Sequence, residues 1–310
     1  MPQQLFVFIQ LEFPWTLGPA DGRYLIRDSA DGEPQRVVVL GALEAGRQSI
    51  GAPPAPRWSG ASLVGRVRRG RSMPTGPEPA PVATTRVTVI DPVSLAADNQ
   101  ARAWLAELDR EREIGAAVMV INRVIHSHRI AAADPYVHEV SAAQALVIRA
   151  GWGEGEQVAD GRWLHARALA QPGAHGSGSR SAGARRGAGR DRSWALRPQE
   201  RLASLLGARG APLLCEELAL RTRQDLDHGR LTHAALELDR GFELAVPELL
   251  AEQRQDLAIR IAELEQLRPG VQEQARATLA GDGGALDEEV LTHALERLEA
   301  ALRARTAAGL

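Results

Sequence analysis

Three histidines and one aspartate lie within a short stretch of the chain. His126 and His128 are two residues apart, and Asp134 and His138 follow. Imidazole and carboxylate groups serve as general bases and metal ligands, so His126, His128 and Asp134 are the candidate catalytic residues. On a helix, His126 and His128 point about 200° apart and cannot bind one metal ion from one face, whereas on a strand they can. No known metal-ligand spacing is present, so we expect no bound metal and favour a helix cap or a contact between domains.

Arginines in two clusters are the second group of candidate residues. Guanidinium groups bind phosphates through paired hydrogen bonds, so nucleic-acid binding is an alternative function. No recognised reader motif accompanies the clusters, and the second has almost no aromatic residue for stacking. Both clusters are equally suited to contact the acidic C-terminal part of the same chain. The first consists of Arg66, Arg68, Arg69 and Arg71, and the second of Arg185, Arg186, Arg190 and Arg192.

Two weaker patterns involve glycine. The segment Gly151–Glu156 is glycine-rich and follows a predicted strand, but its two glutamates would repel a phosphate, so we interpret it as a turn. The sequence Ala-Asp-Gly-Arg-aromatic-Leu occurs at residues 20–25 and again at residues 159–164. Asp-Gly pairs commonly form turns that precede strands, which is the favoured interpretation. The alternative is that the two copies meet in one site.

The composition excludes several reaction classes. All 37 basic residues are arginines, so mechanisms that need a lysine are excluded, among them Schiff-base chemistry and phosphate binding by a P-loop lysine. Cys215 is the single cysteine, which excludes an internal disulfide and a cysteine-rich metal cage. Its apolar helical surroundings predict a buried, unreactive thiol. We expect no cofactor.

The elements that position these residues predict an α+β N-terminal domain followed by an all-α C-terminal domain. Short β-branched and apolar runs predict strands, and apolar residues at intervals of three and four predict helices. An irregular insertion rich in proline and arginine occupies residues 46–81. The strands are predicted near residues 5–12, 24–26, 37–40, 85–90 and 145–148, and the helices of the first domain after Ser94 and over residues 117–125.

Charge divides along the chain in the same way. Residues 1–172 carry no net charge, residues 173–197 carry +5, and residues 198–310 carry −7. Residues 171–197 consist mainly of glycine, serine, alanine and arginine, which predicts a disordered basic linker. The predicted domains are therefore residues 1–170 and residues 198–310. In the second domain, Gly207, Gly229, Pro247, Pro269 and Gly281–Gly284 are the predicted breaks between helices.

One segment of the helical domain resembles a tetratricopeptide repeat. The sequence His-Gly-Arg-Leu-Thr-His-Ala at residues 228–234 is similar to the turn and the start of the second helix of that repeat. Gly229, Ala234 and Pro247 match the small turn residue, the alanine at the helix contact and the closing proline, whereas Gly241 replaces the usual alanine. The resemblance covers residues 213–247 only. It implies a helical hairpin and a peptide-binding surface.

These patterns favour a non-enzymatic interaction or assembly protein. Its acidic helical domain is expected to bind a partner helix or to self-associate. No run approaches the ~18 apolar residues of a membrane span, and the first residues lack the basic leader of a signal peptide, so we expect a cytoplasmic protein that does not bind a membrane. The alternatives are a nucleic-acid-associated protein, or an enzyme with a site formed by the histidines, Asp134 and the Gly151–Gly155 loop.

Overall fold

The computed structural model describes residues 4–43, 83–169, 198–281 and 286–308. Both arginine clusters, the insertion at residues 46–81 and the predicted linker at residues 171–197 lie outside the described residues. The described parts form an α+β layer and a helical bundle, which confirms the predicted fold class.

A six-stranded antiparallel sheet forms the first layer, with the strand order β2-β3-β4-β1-β5-β6. Alternate residues of β1 are buried against the helices, as the period of a strand requires. The five predicted strands are present, but β5 continues through the glycine-rich segment, and β6 occupies a region where we expected only loops. The strands are β1 (Leu5–Phe13), β2 (Gly22–Ile26), β3 (Arg36–Leu43), β4 (Thr84–Ile90), β5 (Val147–Glu154) and β6 (His165–Leu169).

Three helices cover one face of this sheet: α1 (Asp98–Ala106), α2 (Arg110–Ala132) and α3 (Pro198–Leu206). The predicted buried helix at residues 117–125 is part of α2. Ser94 was expected to cap the helix that follows it, but α1 begins only at Asp98, and the residue before it, Ala97, has no capping side chain. Asp109 caps α2 instead, since its carboxylate accepts a hydrogen bond from the backbone N–H of Arg112 at 3.3 Å.

The opposite face of the sheet is covered in part by the segment between β5 and β6. Phe8 packs there against Trp163 with ring centroids 5.7 Å apart. The glycines of β5 allow this close approach, because a Cβ at Gly151 would lie 2.2 Å from the carbonyl oxygen of His165. A Cβ at Gly153 would lie 2.7 Å from a methyl group of Val158. The glycine-rich segment therefore belongs to a strand up to Glu154, and only Gly155 and Glu156 lie in a turn, a 3-10 helix over Gly155–Val158.

The remaining helices form a four-helix bundle in which α4 contacts both α5 and α7. The bundle has its own apolar core, and Phe242 is the single aromatic residue of residues 198–310. The helices are α4 (Leu214–Asp227), α5 (Leu231–Ala251), α6 (Ala258–Leu279) and α7 (Glu288–Ala308).

Two of the predicted helix breaks are wrong. Pro247 lies inside α5 and Pro269 lies inside α6, although each proline removes one backbone hydrogen bond. The flanking residues Val246, Leu249 and Val271 are buried in the bundle core, and this packing keeps both helices continuous. Gly229 ends α4 as predicted, with a positive φ of 68°. The predicted hairpin of α4 and α5 is present, and its membership of the tetratricopeptide family stays a prediction.

The N-terminus of α4 is capped by a residue from another helix. Leu213 precedes α4 and has no polar side chain to accept the free backbone N–H groups. The carboxylate of Glu248 on α5 accepts hydrogen bonds from the N–H groups of Leu214 at 2.9 Å and Cys215 at 3.1 Å. The beginning of α4 therefore depends on a contact with α5.

The sheet layer and the bundle meet at a small joint, which we define as the contact of α2 and α3 with α4. Its apolar part consists of Ile130, Ala133, Leu205 and Leu220. Leu202 and Leu206 of α3 belong to the core of the sheet layer, so this helix is packed with the first layer. None of the helices in the described part of the chain has both the length and the apolar character needed to cross a bilayer.

Candidate functional site

A cleft of about 260 Å³ lies along the joint. One wall comes from α2 and the other from α4, and residues 137–139 form the third side. Both helices present residues four apart, which share one face of a helix. The cleft is lined by Ile125, His126, Arg129, Val137, His138, Glu139, Glu217 and Arg221.

The third side of the cleft is held in place by hydrogen bonds at both of its ends. The amide of Asn122 on α2 exchanges two hydrogen bonds with the backbone of Val140, at 2.8 and 2.9 Å. The hydroxyl of Tyr136 donates to Asp227 on α4 at 2.6 Å. Burial, reinforced by this carboxylate, raises the pKa of Tyr136 to about 12, so the phenol remains a donor.

Glu217 is the central charge of the cleft. Its Oε1 accepts hydrogen bonds from Nη1 of Arg129 at 2.5 Å and from Nε of Arg221 at 3.0 Å. Its Oε2 is buried and has no hydrogen-bond partner among the described residues, and Nδ1 of His126 lies 4.0 Å away. A buried carboxylate oxygen without a hydrogen-bond donor is destabilising. A donor that reached Oε2 of Glu217 would therefore stabilise this side of the cleft.

Behind the cleft, a buried ionic network joins the two layers. Glu216 is 1% exposed and accepts a hydrogen bond from Arg201 of α3, and Arg305 of α7 lies 3.5 Å from the same carboxylate oxygen. Arg201 also donates to the backbone carbonyl of Ile130 at 3.2 Å. The network therefore connects α2 and α3 with α4 and α7, and it makes the joint mainly ionic.

The structure places the predicted catalytic residues in different parts of the first layer, and only one of them lines the cleft. His126 lines the cleft together with His138, but His128 is buried on another side of α2, beside Gly18. Burial lowers the pKa of His128, against the opposing effect of the Asp134 charge. Asp134 accepts a hydrogen bond from the backbone N–H of Tyr136 at 2.9 Å and so forms a turn.

The glycine-rich strand does not contribute to the cleft. Gly151 and Gly153 face away from α2, on the opposite side of the sheet. The repeated hexapeptides do meet on that side, because Nη2 of Arg23 donates to Oδ1 of Asp160 at 3.1 Å. Both side chains are largely exposed, at 43% and 61%, so this ion pair contributes little stability.

The lining residues include no serine, threonine or cysteine, so the cleft supplies no nucleophile of these types. Burial raises the pKa of the Cys215 thiol, which suppresses its reactivity. Within the described ranges, no group of three or more His, Cys, Asp or Glu residues is placed to hold a metal ion. The cleft instead presents two guanidinium groups and two imidazoles.

No protein-family model matches the chain, and no curated protein or solved structure does either.

Sequence reasoning missed Glu217 and Arg221. The two residues lie four apart on a predicted helix, which is the usual pattern of a solvent-exposed ion pair. The arginine clusters lie outside the described residues, so nucleic-acid binding stays a prediction.

A second candidate surface lies at one end of the bundle. Leu214 begins α4, Leu250 is near the end of α5, and Ile259 is near the start of α6, so all three are at the same end. Their exposed fractions are 64%, 55% and 82%. We call this surface the apolar end.

Proposed function

We propose that the protein is a non-enzymatic assembly protein that self-associates through its helical bundle. The observation that carries the proposal is the apolar end, where Leu214, Leu250 and Ile259 of three different helices are each exposed at the same end of the bundle. Removal of such side chains from water is the main driving force of protein association. A cytoplasmic location fits a chain with one buried cysteine.

The charges near the apolar end favour contact with a second copy. Arg254 pairs with Asp256 at 2.5 Å, and Arg305 pairs with Glu252 at 2.7 Å. Because these charges are already paired within the chain, this end adds little to the repulsion expected from the net charge of −7 on residues 198–310. A twofold axis would bring the same surface of each copy together, which is the commonest arrangement of soluble oligomers.

Light scattering of the full chain after size-exclusion chromatography tests the proposal. The wild-type mass is expected to exceed the 33.4 kDa of one chain and to fall on dilution. Ile259→Glu is expected to give a monomer, because a buried unpaired carboxylate opposes association.

Met119→Glu is the matched control. Met119 is 70% exposed on α2 of the other layer, so this variant retains the wild-type mass. A wild-type chain that is monomeric at every concentration, or an Ile259→Glu variant that associates like the wild type, contradicts the proposal.

A further inference from the structure

We propose that the cleft between α2 and α4 binds a small oxyanion, and that binding is coupled to uptake of a proton by His126. This is a second binding site, separate from the apolar end. It follows from the unused donors of the cleft and from the unpaired oxygen of Glu217.

The donors of the cleft converge from three segments of the chain. The guanidinium group of Arg221 is anchored through its Nε to Glu217, so Nη1 and Nη2 remain available to a ligand. Arg221 is 54% exposed, whereas Arg129 lies deeper, at 13%. His138, on the third side, is exposed and makes no hydrogen bond within the described residues. Such a set of cationic and N–H donors is suited to the oxygens of a carboxylate or of a phosphate-like group.

The charge balance explains why a proton is required. With neutral imidazoles, Arg129 and Arg221 are balanced by Glu217 and Glu139, so the lining has no net charge to attract an anion. A proton on His126 adds positive charge to the cleft. It also provides a charged donor for Oε2 of Glu217, across a gap that is now 4.0 Å. One proton therefore pairs the buried oxygen and makes the cleft cationic.

All the charged neighbours of His126 enter this balance. Arg129 lies on its own helix, Glu217 and Arg221 face it from α4, and His138 and Glu139 face it from the third side. Glu217 and Glu139 carry negative charge, and the two arginines carry positive charge. A bound anion offsets the arginine charges, so anion binding and protonation favour each other, and each strengthens the other by the same factor.

The volume of the cleft limits the ligand. About 260 Å³ is at or below the lower end of the range for ligand pockets, which is roughly 300 Å³. The walls contributed by Ile125 and Val137 are apolar and leave room for a short carbon skeleton. The ligand class is therefore a small carboxylate or a small phosphate-type molecule.

An NMR titration of the full chain tests the inference. Sulfate represents the tetrahedral oxyanions and acetate represents the carboxylates, and neither changes its charge appreciably between pH 8 and pH 6. The ring protons of His126 and His138, assigned with His126→Gln and His138→Gln, report binding. Ionic strength is held constant with sodium chloride.

We expect saturable binding of at least one probe, with a dissociation constant at least ~5-fold lower at pH 6 than at pH 8, because imidazole gains charge over this range. The ratio of the two dissociation constants is expected to be smaller in His126→Gln than in the wild type, and smaller than in His138→Gln, which removes the other imidazole of the cleft. Arg221→Gln is expected to weaken binding at least ~10-fold, because it removes the charged fork that contacts the anion. Arg240→Gln is the matched control: Arg240 is an exposed arginine on α5 that also pairs with a glutamate, and its loss leaves the affinity unchanged.

Each alternative outcome overturns the inference. Absence of saturable binding by both probes excludes the site, and equal affinity in Arg221→Gln and wild type excludes the proposed donors. A pH dependence in His126→Gln as large as that of the wild type excludes the coupling to this proton. Arg221 is largely exposed and lies outside the buried network, so its substitution does not threaten folding.

Discussion

The interior of the helical bundle and the joint that fixes the bundle to the sheet layer are both buried, but they differ in chemistry. The apolar core of the bundle consists of aliphatic side chains together with Cys215 and one aromatic residue, Phe242. The joint depends on the carboxylate of Glu216, which is 1% exposed, and on Arg201, which is 8% exposed. An aliphatic core tolerates loss of volume gradually, whereas a buried ion pair is costly to break because its remaining partner is left unpaired. The joint therefore fixes the orientation of the two layers more than it adds stability.

The largest effect is expected for Glu216→Ala. This change leaves Arg201 without its carboxylate and removes the hydrogen bond to the backbone N–H of Leu213. We expect a loss of about 4 kcal/mol in the free energy of unfolding, because one partner of a buried ion pair is removed. Urea denaturation measures this value.

The control for this change is Glu243→Ala, which removes an exposed ion pair with Arg240. Its expected cost is at most ~0.5 kcal/mol, because solvent screens the pair. Equal costs for the two variants would show that the joint is not stabilised by buried charge.

A somewhat smaller effect is expected in the bundle interior. Leu295 is fully buried on α7, and Leu295→Ala should cost about 3 kcal/mol through lost burial and a residual cavity. The same urea experiment, repeated at higher salt, should give the same difference from wild type, since no charge is involved. If this difference depended strongly on salt, charges would also contribute at Leu295, and the bundle interior would not differ from the joint in this respect.

The smallest effect concerns pH and the buried His128 of the sheet layer. Burial lowers its pKa in the folded protein, so the unfolded chain binds the proton more tightly. Its contribution to stability is complete above the ordinary histidine pKa of about 6.5 and decreases as the pH falls below that value. Tm is therefore expected to fall between pH 7 and pH 5.

The substitution His128→Gln should reduce this slope of Tm with pH. His233→Gln is the control, because His233 is exposed on α5, and this variant should keep the wild-type slope. An unchanged slope in His128→Gln would assign the acid sensitivity to other groups.

The sequence predicted the elements of both layers better than their contacts. The last helix illustrates this: its apolar residues recur at intervals of three and four, and Leu291, Leu295 and Leu298 are all fully buried. Strand β6 was missed because residues 165–169 have little apolar character and gain their order by pairing with β5. Pro247 was assigned to a helix end because the packing that keeps α5 continuous comes from distant residues.

The candidate cleft was only partly predictable. Its histidines were found from their spacing, but the choice of His126 over His128 depends on which side of α2 faces α4. Oε2 of Glu217 lies 4.0 Å from Nδ1 of His126 across the joint. No local sequence pattern relates these two residues, because they are 91 positions apart. Such pairings are set by the way whole helices dock, so a single sequence carries no simple signal for them.

The cap that Glu248 provides for α4 has a consequence for how the chain is made. The carboxylate that completes the start of α4 is synthesised more than thirty residues after the N–H groups that it binds. A nascent chain that ends before residue 248 therefore contains an α4 segment with its first turn unsatisfied, and helices of this length are marginal alone in water. The order of synthesis thus delays α4 until α5 has emerged, and the two helices are expected to form as one unit.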